Sequence, residues 1–328
     1  MDNKSFDVIG IGACNLDTVA FVNKFTECEE KINAYNYVEP RAAGVALDAI
    51  TQIAYLGMRC GFIGKHGDDY LGKIFAEEMD ADNIDLSRRM VISGERTSLA
   101  WIQVKPDGER CHVIIPMSEK GQLQTDEMDN YSDYLNSARV CHMELLQMPI
   151  APLVRASELC KKSGTLVSID LDVAPRYLIE NQYATQDELN YFLSMADILK
   201  VCKNAVGGLS GKNDLSEAAK DILKMGSKLV IITIGEKGCV AAFNDRGKLH
   251  TLNIPAFTDT GVKDTTGAGD AFQGGFIYGI LKGWDIEKAS VLANACGYLK
   301  SLRVGARNMP KYEVVEQFLQ KKGWESIA

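Results

Sequence analysis

The chain has 328 residues, 46% hydrophobic and 24% charged, a balance ordinary for a soluble globular protein with enough length to bury a large core. Its 44 acidic against 36 basic side chains give a formal net charge of -8, which argues against nucleic acid as a main partner, since a polyanion needs a basic face. No run approaches the roughly 20 apolar residues that span a bilayer, and Asp2, Asp7 and Asp17 interrupt the one leader-like stretch, so no membrane partner and a cytoplasmic location are expected.

In chain order, FDVIGIGACNLD begins as a buried strand over 7–12 that ends in a polar turn. Residues 43–56 carry apolar side chains at helical spacing and stop at Gly57, a C-cap signal. A short strand over 60–63, the turn GKHGDD and a helix over 70–79 follow. Residues 31–38 and 98–104 alternate apolar and polar, and PDGER leads into a further strand over 111–115. These read as strands covered on one face, with Asp107-Gly108 as a hairpin turn. From about residue 139 the pattern is regular: strands over 140–143, 166–170, 198–201 and 229–234, with helices over 153–162 and 215–225. A hairpin over 239–243 and 249–252 and helices over 268–281, 286–301 and 312–321 complete the chain. Strands separated by helices imply right-handed crossovers and a mostly parallel sheet, so the expectation is one α/β domain, 1–328, with a small β insertion. The nine cysteines stand singly without C-x-x-C spacing, which excludes a zinc or dithiol motif and reads as reduced, core-packed thiols.

Three motifs carry chemistry. VKDTTGAGDAFQGGF places Gly267, Ala268 and Gly269 in a small-residue turn that opens a helix, with Asp270 in its first turn. Such a turn leaves backbone N–H groups unpaired and the helix dipole reinforces them, which makes an anion site. A carboxylate beside it can accept the proton of an attacking hydroxyl. The same pattern also serves a capped helix with close-packing glycines. Asn15 and Asp17, after the first strand, can form paired hydrogen bonds to vicinal hydroxyls, or simply satisfy a turn. TIGEKG, with Thr233, Gly235 and Gly238, is a glycine turn after a core strand. Gly10-x-Gly12-x-x-Asn15 lacks the third glycine of a dinucleotide fingerprint, and GLSGKND lacks the spacing of a P-loop.

DTTGAGD resembles, at all seven positions, the C-terminal signature of the ribokinase family of carbohydrate kinases, the pfkB family, and the similarity runs over nearly the whole chain. The resemblance implies a ribokinase-like α/β fold: a central, mostly parallel sheet flanked by helices, with a β-sheet lid from roughly residues 18–40 and 96–116. It implies ATP-dependent phosphorylation of a hydroxyl of a sugar or sugar-like molecule, with ATP and Mg²⁺ required and a monovalent cation such as K⁺ compatible. Asp270 is then the base and Gly267, Ala268 and Gly269 the anion hole. Asn15, Asp17, Gly44 and Asp48 bind the substrate, and Thr233, Gly235, Gly238 and Asn294 the nucleotide. Small lid sheets expose strand edges, and several relatives pair through them, so a homodimer through the lid is expected.

Two departures from the family pattern bear on this. Ala43-Gly44-Val45-Ala46-Leu47-Asp48 replaces a Gly-Gly and its following Asn, so Asp48 accepts hydrogen bonds but cannot donate as an amide does. Cys202 and Ala205 stand where many members carry an Asn-x-x-Glu that helps hold Mg²⁺, and neither offers a suitable oxygen, leaving the metal ligands open. Three rivals remain at this point. A nucleoside kinase fits the same motifs, a non-catalytic sugar or nucleotide sensor fits the lost magnesium motif, and a nucleotide-cofactor oxidoreductase would use the Gly10–Gly12 turn.

Overall fold

Apolar runs long enough to be buried on both faces set the frame. A computed structural model describes residues 4–80 and 82–324. The first part of the chain forms β1 (Phe6–Ile11), β2 (Asn15–Phe21), β3 (Asn36–Ala43), α1 (Val45–Tyr55), β4 (Cys60–Gly67), α2 (Tyr70–Met79), β5 (Asp85–Ile92), β6 (Ser98–Val104) and β7 (Arg110–Ile115). Two short helices, α3 (Glu127–Asn130) and α4 (Ser132–Asn136), lead to the alternating region: β8 (Ala138–Glu144), α5 (Ile150–Ser163), β9 (Leu166–Leu171), α6 (Pro175–Glu180), α7 (Gln186–Ser194), β10 (Ile198–Cys202), α8 (Lys203–Leu209), α9 (Leu215–Leu223) and β11 (Leu229–Thr233). The hairpin β12 (Cys239–Asp245) and β13 (Lys248–Ile254) precedes α10 (Ala268–Leu281), α11 (Ile286–Ser301) and α12 (Tyr312–Lys321).

The large sheet has nine strands in the order β13-β12-β11-β10-β9-β8-β1-β4-β5, parallel except along β11-β12-β13. Alternation along the strands splits its core between two helical layers. Ile9, Met143, Ile169 and Leu199 pack with residues of α5, α7 and α9 on one face. Val8 and Val140 pack with α1, while Ile198 and Ile231 pack with α10 and α11, on the other. α10 is buried almost all round and crosses α1 closely. A Cβ on Gly274 would lie 2.5 Å from the Ala49 carbonyl oxygen, so only glycine permits this approach. The smaller sheet, β3-β2-β6-β7, is a separate lid whose own core is Val19, Ala100, Ile102 and Val104.

Several expectations change. CNLD is not a turn: Asn15 and Asp17 open β2, so the lid begins at residue 15. Of the alternating stretch 31–38 only 36–38 join the lid strand; β3 runs Asn36–Ala43, through Pro40, which an edge strand tolerates because it has no partner for every N–H. GKHG continues β4 rather than turning. β5, α3, α4, α6, α7 and α8 were not expected from the sequence. Cys28 and Cys111 are exposed, so the cysteines are not all core residues. Among the described residues no helix is long and apolar enough to cross a membrane.

Candidate active site

Parallel strands present their C-terminal ends, and the loops after them, to one edge of the sheet, where ligands of open α/β sheets bind. Here that edge and the start of α10 border a cleft of about 160 Å³, flanked on one side by the inner face of the lid. Asn15, Asp17, Gly44, Asp48, Gly267, Gly269 and Asp270, drawn from both ends of the chain, all line it.

Gly267 is the N-cap of α10 at φ 78°, and a Cβ there would lie 2.1 Å from the Ala306 carbonyl oxygen, so the turn requires glycine on both conformation and space. The Ala268 N–H is engaged with the Thr265 carbonyl at 3.1 Å. Gly269 and Asp270 therefore supply the free first-turn amides. The Asp270 carboxyl is pushed well up from the ordinary range by burial and then by Asp48, with Lys200 pulling the other way.

Lys200 is the main residue that motif reading missed. It lies fully buried in β10, its ammonium bonded to both Asp170 oxygens at 2.8 and 2.7 Å and 3.9 Å from Asp172. A Cβ on Gly269 would sit 3.2 Å from its Nζ, so this cation lies directly behind the Gly267–Gly269 turn. Burial opposes the ammonium, but Asp170, Asp172 and Asp270 outweigh it and hold the lysine charged. The signal was present: a lysine in the middle of the apolar run ILKVC is almost never buried without a partner.

At the lid end of the cleft, the Asn15 amide donates to Asp17 at 2.7 Å, and the Ser98 hydroxyl donates to Asn15 Oδ1 at 2.9 Å. Burial and the neighbouring Asp264 push the Asp17 carboxyl up to about 7, against Arg110 and the Asn15 hydrogen bond. Asp48 is buried on α1 with its Oδ1 lacking any hydrogen-bond partner. From the lid, Arg110 donates to the Thr266 hydroxyl at 2.8 Å, and Thr266 is held by Asp264 through its N–H and hydroxyl at 2.9 and 2.7 Å. The lid is thereby tied to the DTTGAGD segment.

The nucleotide candidates lie apart from this cleft. Thr233 ends β11, and Gly235 and Gly238 flank the following turn. Asn294, on α11, donates to the carbonyls of Ile254 and Pro255 at 3.4 and 3.0 Å, and a Cβ on Gly238 would meet the same Ile254 oxygen at 2.0 Å. All four therefore border the 254–255 segment or the end of β11. As for a metal, no group of three or more His, Cys, Asp or Glu suited to one exists among the described residues. Ala205 is fully buried in the core. Burial and Asp172 push the Cys202 thiol up to about 11, so it stays protonated and unsuited to a hard cation.

A family model described as pfkB family carbohydrate kinase matches residues 5–312. The chain is 27% identical over 331 residues to a 5-dehydro-2-deoxygluconokinase of Geobacillus thermodenitrificans, covering 97% of this chain and 94% of that one. It is 27% identical to a probable fructokinase-2 of Arabidopsis thaliana, covering 93% and 92%. The fold matches that of an Arabidopsis thaliana ribokinase solved with ribose and ATP, at TM-score 0.79 and 22% identity, over 96% of this chain and 99% of that one.

Proposed function

Because the chain belongs to the pfkB family of carbohydrate kinases, we propose that it transfers the γ-phosphoryl group of ATP to a hydroxyl of a sugar or sugar-like polyol, with Asp270 as the base. The observation that carries this is the meeting of Asn15, Asp17 and Asp48 with Asp270 and the Gly267–Gly269 turn in one lidded cleft. Asn15 and Asp17 orient the acceptor. Asp270 takes the proton of its hydroxyl as that oxygen bonds the γ-phosphorus and the bond from phosphorus to the β-phosphate oxygen breaks, releasing ADP. The Gly269 and Asp270 amides, with Lys200 behind them, stabilise the charge on the transferring group. The lid excludes water that would otherwise accept the phosphoryl group. Thr233, Gly235, Gly238 and Asn294 hold the nucleotide beyond the cleft.

Magnesium bound with ATP would supply charge neutralisation at the phosphate oxygens. With Cys202 and Ala205 unsuited, Asp172, an exposed carboxylate of the cleft, is the group that would hold it through water. The outer face of the lid, where Trp101 and Val113 stand opposite each other and are 44% and 54% exposed, is the self-association surface.

The test is ADP release across a panel of sugars with wild type and Asp270→Asn. A sugar-dependent rate that falls by roughly 10²–10⁴ or more in the variant, with ATP binding retained, is expected. A variant that keeps most of its kcat overturns the assignment.

A further inference from the structure

We propose that Lys300 is a positioning residue whose buried ammonium serves as a built-in monovalent cation. It clamps the backbone leading into the Gly267–Gly269 turn to the loop that leaves α11, so phosphoryl transfer needs no added K⁺. This rests on the sugar-kinase reading above, and it puts a side chain of this protein in place of the alkali cation that the family resemblance admits.

Lys300 stands in the last turn of α11 and is 0% exposed. A lysine is almost never buried to that degree without partners. Its Nζ faces backbone oxygens on two segments far apart in sequence, the Arg303 carbonyl at 3.3 Å and the Asp264 carbonyl at 3.5 Å. The two segments are stitched together around it. The Lys263 and Asp264 N–H groups donate to the Ser301 carbonyl at 2.8 and 3.1 Å, and the Gly305 N–H donates to Asp264 Oδ2 at 2.8 Å. Ala306 then closes on Gly267 so tightly that no Cβ fits between them. Asp264 lies three residues ahead of Gly267 in the chain. A shift of the backbone at the ammonium therefore carries into the first-turn amides of Gly269 and Asp270.

The surroundings call for a cation. Carbonyl oxygens accept and cannot donate, so they answer a positive group and leave an apolar side chain unpaid for. The C-terminal end of α11 adds the negative end of its dipole. Burial draws the Lys300 pKa below the ordinary lysine range, while Asp264, then Asp48 and Asp270, work against it and favour the ammonium. Lys200 approaches the same turn from β10 but is answered by both oxygens of the Asp170 carboxylate. One lysine thus neutralises an acid, and the other bridges two carbonyls. Asp264 has both carboxylate oxygens engaged as well, Oδ1 by the Thr266 N–H and hydroxyl and Oδ2 by Gly305. A K⁺ ion bound to these carbonyls would meet a like charge already within 3.5 Å of them, so the residues present do not fit one.

The experiment uses the full chain as wild type, as Lys300→Ala, which opens space for an ion, and as Lys300→Met, which removes the charge and keeps the bulk. Sugar-dependent ADP release and Tm are measured in about 0.1 M tetramethylammonium, K⁺ or NH₄⁺ chloride, with magnesium constant and ionic strength matched. Wild type should keep its kcat within about twofold, and its Tm within about 1 °C, across the three salts. Lys300→Ala in tetramethylammonium should lose about tenfold to a hundredfold in kcat with a smaller change in sugar KM, because a misplaced turn weakens the transition state more than the bound sugar. K⁺ or NH₄⁺ should restore that kcat to within about threefold and raise the variant's Tm by about 2 °C or more, as a ligand of the folded chain does. Lys300→Met should show the loss without the rescue, which a merely structural lysine would not distinguish. A wild type stimulated more than about fivefold by K⁺, variants with wild-type kcat, or a loss in Lys300→Ala that neither ion restores each overturn the proposal. If Lys300→Ala does not fold, the wild-type salt series and the kcat of Lys300→Met decide it by the same limits. If no sugar elicits ADP release from wild type, the phosphotransfer reading falls. A Tm of Lys300→Ala that responds to K⁺ or NH₄⁺ beside an indifferent wild type would then still support the clamp, and an unresponsive one would overturn it.

Discussion

Replacing Lys200 by Met removes one charge from a pair in which both side chains are 0% exposed and Nζ lies 2.7 Å from Asp170 Oδ2. At an effective dielectric of about 20 the attraction at that distance is about 6 kcal/mol. Desolvating two ions costs several kcal/mol each, so the intact pair nets little stability. The single substitution is different, because it leaves Asp170 buried with Asp172 and Asp270 nearby and no counter-charge. Breaking such a pair costs roughly 3–5 kcal/mol. With an unfolding entropy of about 2.1 cal/mol/K per residue, a chain of 328 residues then loses roughly 4–7 °C in Tm. Adding Asp170→Asn removes the stranded charge and should recover much of the loss. The same substitution should also appear in catalysis, since Lys200 opposes the burial that raises the Asp270 carboxyl. Without it Asp270 holds its proton to higher pH, and the base must be deprotonated to act. The acid limb of the pH–rate profile for sugar-dependent ADP release should therefore move to higher pH. Scanning calorimetry and that profile decide the matter. A Lys200→Met protein with Tm within about 2 °C of wild type and an unmoved acid limb would refute the reasoning.

Three further outcomes are expected at the same site and its lid. With its carboxyl at about 7 in the folded chain and near 4 when unfolded, Asp17 holds a proton on folding that it would otherwise lose in that window, so its contribution to stability falls as pH rises from about 4 to 7. Asp17→Asn should thus gain Tm relative to wild type more at pH 8 than at pH 5 while raising the sugar KM, and a pH-independent Tm difference would count against it. Asp172→Asn, at a carboxylate 43% exposed, should raise the magnesium needed for half-maximal ADP release several-fold with little change in Tm; an unaltered requirement would show that another group serves. Trp101→Lys, on the outer lid face, should convert a dimer to a monomer by light scattering, and a wild type already monomeric at working concentration would remove the lid interface.

The legible parts of the fold were those whose pattern and packing agree. Helices over 70–79, 268–281, 286–301 and 312–321 and the strand over 98–104 fall where the spacing put them. β5 was missed because in DLSRRMVI, an edge strand, Asp85, Arg88 and Arg89 interrupt the apolar residues, so it lacks the apolar run of its neighbours. α7 was missed although Thr185 and Glu188 form a capping box, a local start signal that a search for apolar periodicity passes over. The cleft's acids from the two ends of the chain were found through their motifs. Lys200 and Arg110 were not, because their roles depend on partners far away in sequence: Asp170 across a ladder and Thr266 across the cleft.

Within the large sheet, among the described residues, one ladder joins everything before residue 116 to everything after 126: β1 against β8, from Phe6 opposite Ala138 to Ile11 opposite Met143. The whole lid pairs within the first part, and β8 to β13 pair in succession within the second. Asn15, Asp17 and Asp48 stand on one side of this seam, and Asp170, Lys200 and Asp270 on the other. The peptide linkage across Ser118, Glu119 and Lys120, all exposed, then acts as a tether that supplies effective concentration rather than architecture. Two fragments divided there, each burying part of a shared apolar core, should be inert apart and recover sugar-dependent ADP release when co-expressed.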